Sequence, residues 1–447
     1  MNILFPLLLL TSALPSAESA FAMNSSEIQS PSRTDEMILH NDIRMTRLSN
    51  NQMMPMIGFG AGNVPRSHVG ALVADAIQPD KKIYLIDTAR ESKNEALIAE
   101  GIVAGAERCN TEDVKPEIHV ITKVWYTHLG YNRTKLAVED SLEAFRDALE
   151  SDKVDVKLHI QLHYPRCYES IEWMDCDNEE AVLDEKVKQV GPDPRLDPRN
   201  SLKGSWTYLE DLYLSANFPV ASIGVSNFAL ADLEEVQEYS RVQPHTLQIN
   251  MWSVLYDPLL VEHCRRHNIH LQVYNALQST MSSLEYVAKA VPSSTMTPGQ
   301  AVISWLVKQD ISVFPRTSKI TRLSENSATD IASMPSFSPK QMEDIEFALR
   351  RGFGEDDIIE ELPIPPSADV VSWFLAITSL IVIVVTIRAP SVSSPPKPLK
   401  ATPKTGRRKR LKPKHRSREV FKVREKAPVH IGRSQWLVSY LLKQMRL

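Results

Sequence analysis

The sequence predicts an α/β protein built as a closed (β/α)8 TIM barrel, followed by one transmembrane helix and a basic cytoplasmic tail. Three observations carry this expectation. Eight short apolar runs alternate with amphipathic stretches between Met56 and Pro315, the pattern of a parallel sheet wrapped by helices. Later comes Val370–Ile387, 18 residues without a charge. From Arg388 onward 18 Lys and Arg face only Glu419 and Glu425, a net charge of +16, which leaves residues 1–387 at −20 although the whole chain carries only −4. An acidic body with a basic tail implies two compartments or two partners.

In chain order, residues 1–22 read as a signal peptide. Phe5–Leu10 is apolar and Ala20-Phe21-Ala22 supplies a small-residue cleavage pattern, although no Lys or Arg stands in the n-region. Residues 23–47 are polar and are expected to be a disordered lead. The barrel is placed at 48–349, with strands over Met56–Gly60, Ile83–Asp87, Ile118–Lys123, Lys157–His163, Ala221–Ser226, Thr246–Asn250, His270–Tyr274 and Ile311–Pro315. Helix candidates fall between them. In Leu136–Leu149, Leu136, Val138, Leu142, Phe145 and Leu149 recur at about helical spacing, with Asn132 or Thr134 available as a cap. An open doubly wound sheet is the alternative architecture, but no G-x-G-x-x-G turn follows an early strand; Gly58-Phe59-Gly60-Ala61-Gly62 is glycine-rich without being that fingerprint. Helices around Pro339–Leu349 end the barrel.

Residues 350–368 form an acidic, Pro-containing linker and 369–388 the membrane helix. Its 18 uncharged residues approach the minimum needed to cross about 30 Å of hydrocarbon. Acids precede the span and Lys/Arg follow it, so the tail (389–447) is expected in the cytoplasm and the barrel in the lumen or outside, a single-pass type I topology of the secretory pathway. Asn24-Ser25-Ser26 and Asn132-Arg133-Thr134 are glycosylation sequons there. Ser19-Ala20-Phe21-Ala22 also resembles the Phe-containing motif of presequences directed to complex plastids, which stands as the alternative address. The basic tail suits an anionic lipid surface, and nucleic acid is not an expected partner. Ser434–Leu447 has the composition of a short amphipathic helix. Cys167 and Cys176 share one loop and can pair in an oxidising lumen, whereas Cys109 and Cys264 read as apolar packers. No Cys/His spacing suggests a metal.

In such a barrel the chemistry lies at the C-terminal ends of the strands. Four successive ends carry Asp87, Lys123, His163 and Ser226-Asn227, a set that packing alone does not explain. Asp87-Thr88-Ala89 with Asn94-Glu95 resembles D-T-A-x-x-Y-x-N-E of the aldo-keto reductases. Thr122-Lys123-Val124-Trp125 resembles that family's lysine motif, and Leu162-His163-Tyr164-Pro165 its H-W-P. Gly224-Val225-Ser226-Asn227-Phe228 matches G-V-S-N-F. Gln248 and Tyr274 match the polar and aromatic residues after strands six and seven. Pro315-Arg316-Thr317 with Arg322, Glu325 and Asn326 matches P-K-S…R-I-x-E-N.

The resemblance implies an NADP(H) cofactor and a small-molecule aldehyde or ketone as substrate. Ser226, Asn227 and Gln248 would hold the nicotinamide carboxamide, Tyr274 would stack on its ring, and Arg316, Thr317 and Arg322 would grip the 2′-phosphate. Gly60, Ala61, Glu325 and Asn326 complete the implied cofactor set. Two guanidinium groups beside a hydroxyl suit a phosphate dianion on physical grounds as well. Trp125, Tyr126 and Tyr164 suggest an aromatic-walled substrate pocket beneath the long loop Arg166–Lys203; core packing is the other reading of Trp125. The departure is at the acid. The family's tyrosine, supported by the lysine and aspartate, belongs five residues after Asp87, and that position holds Ser92. Reduction by hydride needs a proton donor at the developing alkoxide, and an aliphatic hydroxyl is a far weaker acid than a phenol. Tyr126, Tyr164 or a protonated His163 are the candidate substitutes, and a water relayed from Ser92 to Lys123 is another route. The alternative function is an inactive NADP(H)-binding barrel serving as a redox-sensing or partner-binding module.

Overall fold

The computed structural model describes residues 38–352, apart from 41, 110–114, 172, 216–218 and 292–295. The signal peptide, the linker beyond Gly352, the membrane span and the basic tail with its terminal amphipathic segment all lie outside the described residues. Among the described residues no helix is long and apolar enough to cross a membrane.

Part of the lead expected to be disordered is ordered. β1 (Ile38–His40), β2 (Ile43–Arg47) and β3 (Met53–Pro55) make a three-stranded antiparallel sheet. Polar contacts seat it at the N-terminal mouth of the barrel, where Thr46 Oγ1 donates to Asp310 Oδ1 at 3.0 Å and Asn50 Nδ2 to the Ala221 carbonyl at 2.8 Å. That leaves the opposite mouth for the site.

The barrel strands follow as β4 (Phe59–Gly60), β5 (Leu85–Asp87), β6 (Glu117–Val124), β7 (Asp155–Leu162), β8 (Val220–Ser226), β9 (Thr246–Asn250), β10 (His270–Tyr274) and β11 (Ser312–Phe314). They pair in sequence order and in parallel. An isolated parallel bridge, Ile57 to Val313, returns β11 to the first strand, with Gly58 N–H on Val313 O and Val313 N–H on Met56 O, both at 2.9 Å. The sheet is closed, not open. Glycine is required at Gly224, where a Cβ would stand 2.7 Å from the Thr246 carbonyl of the neighbouring strand.

Branched apolar side chains usually fill such a barrel. Here the inner face is largely polar and hydrogen-bonded. His119 Nδ1 meets His159 Nε2 at 2.9 Å and His159 Nδ1 meets Ser222 Oγ at 2.7 Å; above them Gln161 Nε2 donates to Thr246 Oγ1 at 3.0 Å and Gln272 Oε1 at 2.8 Å. The main apolar core lies instead between the sheet and the surrounding helices, where Trp206, Trp305 and Phe145 are fully enclosed.

The helix expected over Leu136–Leu149 is two, Tyr131–Ala144 and Arg146–Leu149, broken at Phe145. Neither expected cap acts. The N-cap is Gly130 at φ 105°, and Thr134 Oγ1 turns inward to donate to the His128 carbonyl. The final helix runs Pro339–Gly352. Cys264 is buried and Cys109 half-buried, both unbridged, as expected of packers.

Candidate active site

The strand ends bring the four implied polar groups to one mouth. Asp87 closes β5 and Lys123 is the penultimate residue of β6, on neighbouring strands. Lys123 Nζ donates to Asp87 Oδ1 at 2.5 Å and to the Thr88 carbonyl at 2.8 Å, while Gln248 Nε2 donates to the same Asp87 oxygen at 2.8 Å. Both ionic groups are buried. Such a pair is tolerated in low dielectric only because each partner compensates the other.

His163 directly follows β7. Its N–H donates to the Val124 carbonyl at 2.9 Å, and its own carbonyl accepts from Asn227 Nδ2 at 3.0 Å. The ring meets Trp125 edge-on at 4.9 Å and stacks on Tyr164 at 5.3 Å. Burial, reinforced by the Lys123 charge, holds the imidazole well below its usual pKa. It is therefore neutral at physiological pH, which removes protonated His163 as the substitute acid. Nδ1 is enclosed without a hydrogen-bond partner among the described residues. A neutral imidazole can orient a carbonyl by donating its ring N–H as a hydrogen bond.

Ser92 ends a 3-10 turn, Arg90–Ser92, whose last N–H donates to the Ala89 carbonyl at 2.9 Å. Its Oγ lies 3.5 Å from where a Cβ on Gly62 would sit. No hydrogen bond joins it to Asp87, Lys123 or His163. The two tyrosines fare no better as acids. The Tyr126 phenol is pushed upward by burial and then by the Glu179 and Glu91 carboxylates, and its hydroxyl is enclosed with no partner of ordinary hydrogen-bond geometry. The Tyr164 phenol is pushed upward by burial and then by Tyr274 and Tyr168. Neither phenol is acidified in the way the motif implies.

The implied cofactor residues gather on the same side. Asn227 adopts the left-handed region at φ 58°, which asparagine tolerates. This turn lets Nδ2 reach Ser226 Oγ at 3.1 Å and Oδ1 accept from Tyr274 Oη at 2.6 Å. Gly60 lies against β11, where a Cβ would come within 2.8 Å of the Phe314 carbonyl and 3.6 Å of the Arg316 Cβ. Ala61 N–H donates to the Asp87 carbonyl at 2.8 Å, tying that turn to the acid. Thr317 is buried, its Oγ1 accepting from Lys319 N–H at 3.0 Å. Arg316 is exposed and donates to Gln278 Oε1 at 2.7 Å; Arg322 is exposed on the helix Ile320–Glu325. No carboxylate pairs with either among the described residues, so two guanidinium groups stay available to an anion. Glu325 is exposed and Asn326 buried; the Glu325 carbonyl accepts from Gln300 Nε2 at 2.9 Å. These residues fit a phosphorylated dinucleotide.

Several residues shape the site in ways that the sequence alone does not suggest. Thr88 Oγ1 donates to Asn94 Oδ1 at 2.7 Å and Asn94 Nδ2 to the Ala61 carbonyl at 3.0 Å, bracing the loop that carries Ser92. The long loop is partly helical, and its last helix already begins at Pro198. Arg133 clamps Glu180 through two bonds of 2.9 and 2.8 Å, and Glu179 Oε2 accepts from Trp125 Nε1 at 2.6 Å. Cys167 and Cys176 are disulfide-bonded, with Cα atoms 6.1 Å apart. A pocket of about 320 Å³ lies against this loop, lined in part by Tyr126, Tyr168, Arg166 and the disulfide. It contains none of Asp87, Ser92, Lys123 or His163, so it is not the catalytic mouth. Trp125 is buried in the core, as its packing reading expects, and its ring meets His163.

Comparison with known proteins agrees with this geometry. The family model described as Aldo/keto reductase family matches residues 56–349. An uncharacterized oxidoreductase of Caenorhabditis elegans is 24% identical over 318 residues, covering 68% of this chain and 85% of the relative. A probable NAD(P)H-dependent D-xylose reductase of Aspergillus terreus is 26% identical over 314 residues, covering 63% and 86%. Among solved structures, a Gox0644 variant in complex with NADPH superposes with a TM-score of 0.51 at 24% identity, covering 68% of this chain and 93% of that one. The motifs, the closed barrel and the family match together show that the chain belongs to the aldo/keto reductase family.

Proposed function

We propose that this chain is an NADP(H)-dependent, membrane-anchored oxidoreductase acting on an aldehyde or ketone, with acid catalysis weakened by Ser92. The observation that carries the reading is the asymmetry of the mouth: the Asp87–Lys123 pair and neutral His163 are in place, whereas the tyrosine position holds a short hydroxyl bonded to none of them. When bound, the nicotinamide supplies a hydride. The chain's own residues do the rest. Ser226, Asn227 and Gln248 would hold the carboxamide and Tyr274 would lie against the ring. Arg316, Thr317 and Arg322 would take the 2′-phosphate, and His163 would orient the carbonyl through a ring N–H. A water held by Ser92 would pass a proton from the Lys123 ammonium to the alkoxide, and Lys123 would regain it from solvent. Loss of one general acid costs about 10²–10⁴-fold, so residual turnover is slow.

A second reading, an NADP(H)-binding barrel without turnover, is favoured by the upward-shifted phenols of Tyr126 and Tyr164. NADPH titration of the full-length chain in detergent, followed by NADPH oxidation with a panel of carbonyls, separates the two. Binding with slow turnover supports the first reading, binding alone the second, and absence of binding refutes both.

The anchor is part of the proposal. The 18 uncharged residues Val370–Ile387, acids before them and 18 Lys and Arg after support a type I orientation with the tail on anionic lipid. The Cys167–Cys176 bridge is consistent with an oxidising lumen. Carbonate extraction tests it: the full chain should stay with membranes and a chain ending at residue 368 should be released. Release of both sinks the anchor.

A further inference from the structure

Trp173 is 59% exposed, which is unusual for an indole whose position is fixed. The residue lies within the loop closed by Cys167 and Cys176, which restricts its backbone. Its ring stands 6.3 Å from Trp125 and 6.0 Å from Tyr164. Those two rings in turn contact His163, at 4.9 and 5.3 Å. A continuous aromatic surface therefore runs from an exposed indole to the histidine that faces the carbonyl. Closing a short loop removes chain entropy in advance, so presenting the indole for stacking costs less ordering.

The surface has a sign as well as a shape. Glu179 Oε2 accepts from Trp125 Nε1 at 2.6 Å. That carboxylate also helps push the neighbouring Tyr126 phenol upward, after burial. Negative charge beside an aromatic wall disfavours an anionic ligand and leaves an uncharged one unaffected.

We propose that Trp173 is a specificity-determining residue that stacks on an uncharged, planar aromatic carbonyl, while Glu179 turns away carboxylated analogues. This rests on the functional reading above, in which a carbonyl sits at His163. The catalytic groups impose no such preference on their own; it comes from the disulfide-closed loop.

The test is equilibrium binding to the full-length chain in detergent saturated with NADP+, which removes the need for turnover. The probes are 4-nitrobenzaldehyde, 4-carboxybenzaldehyde and propanal. Wild type should bind the nitro compound more tightly than the carboxylate. Trp173→Ala should weaken the nitro compound about tenfold, as expected of one aromatic contact, and leave propanal unchanged, while Trp173→Phe should retain most of the affinity. Glu179→Gln should narrow the gap between the two aromatic probes. Reducing the disulfide with a phosphine should weaken the nitro compound in wild type and not in Trp173→Ala. Equal binding of the nitro compound by wild type and Trp173→Ala, or tighter binding of the carboxylate, overturns the proposal. If NADP+ binds and neither aromatic aldehyde does, this proposal falls while the cofactor assignment stands. If NADP+ does not bind, the functional reading falls and this proposal with it.

Discussion

Replacing Lys123 by Met removes one half of a buried ion pair whose other half cannot leave. Asp87 would keep a single side-chain donor, Gln248 Nε2 at 2.8 Å, and lose the ammonium at 2.5 Å. Stranding a buried charge costs about 3–5 kcal/mol. The surviving Gln248 bond places this case near the lower end, about 3 kcal/mol. At about 2 °C per kcal/mol for a domain of this size, the melting temperature should fall by about 6 °C or somewhat more. The assay is thermal unfolding by circular dichroism of wild type, Lys123→Met, Asp87→Asn and the double variant. In the double variant no charge remains to be stranded, so its stability should exceed that of Lys123→Met. If Lys123→Met melts with wild type, or if the two single losses simply add in the double variant, Asp87 and Lys123 are not compensating each other and the reasoning fails.

Acid should destabilise the barrel. His128, His159, His163 and His245 have pKa values lowered by burial, His128 to about 3. Each stays neutral in the fold while the unfolded chain takes up a proton below about pH 6.5, so the stability they contribute is present above that pH and is lost as pH falls toward the folded values. His128 alone removes about 2 kcal/mol by pH 5, at 1.36 kcal/mol per unit; an unchanged melting temperature between pH 7.5 and 5 would contradict this. Arg322→Ala should weaken NADPH about tenfold or more, from loss of a charge-assisted phosphate contact, and barely alter NADH. Equal losses for both cofactors in a calorimetric titration would remove the 2′-phosphate role. Phe145→Ala should cost about 3–5 kcal/mol by opening a cavity at a fully enclosed ring, without changing the NADPH dissociation constant; urea unfolding reports the first and titration the second.

The barrel was legible because its strands are local apolar runs whose ends carry the polar residues: β9 and β10 fall on Thr246–Asn250 and His270–Tyr274 as expected. The first and last strands were shorter than expected, since Ile57 and Val313 meet only through a bridge across the closure. The N-terminal sheet was missed because three of the five residues of β2, Arg44, Thr46 and Arg47, are polar, and Thr46 is buried through a bond to Asp310, 264 positions away. The polar interior was hidden for the same reason. Gln161 looks solvent-seeking until Gln272, 111 residues on, is placed opposite it. At the site, the strand-end positions of Asp87, Lys123 and His163 were legible in the sequence, and the family resemblance put Ser92 where its tyrosine is expected. The contributions of Glu179, Glu180 and Trp173 could not, because acids and a tryptophan in a long loop carry no periodic signal. Only the pairing of Cys167 with Cys176 hinted that the loop was closed.

The central claim is that Ser92 is the single missing member of an otherwise complete mouth. The direct measurement is the rate of carbonyl reduction at saturating NADPH for wild type and Ser92→Tyr, in the full-length chain. Restoring a phenol beside Lys123 should raise the rate by about 10²-fold or more, with NADPH affinity unchanged. A Ser92→Tyr protein that binds NADPH as wild type does and gains no rate would contradict the account.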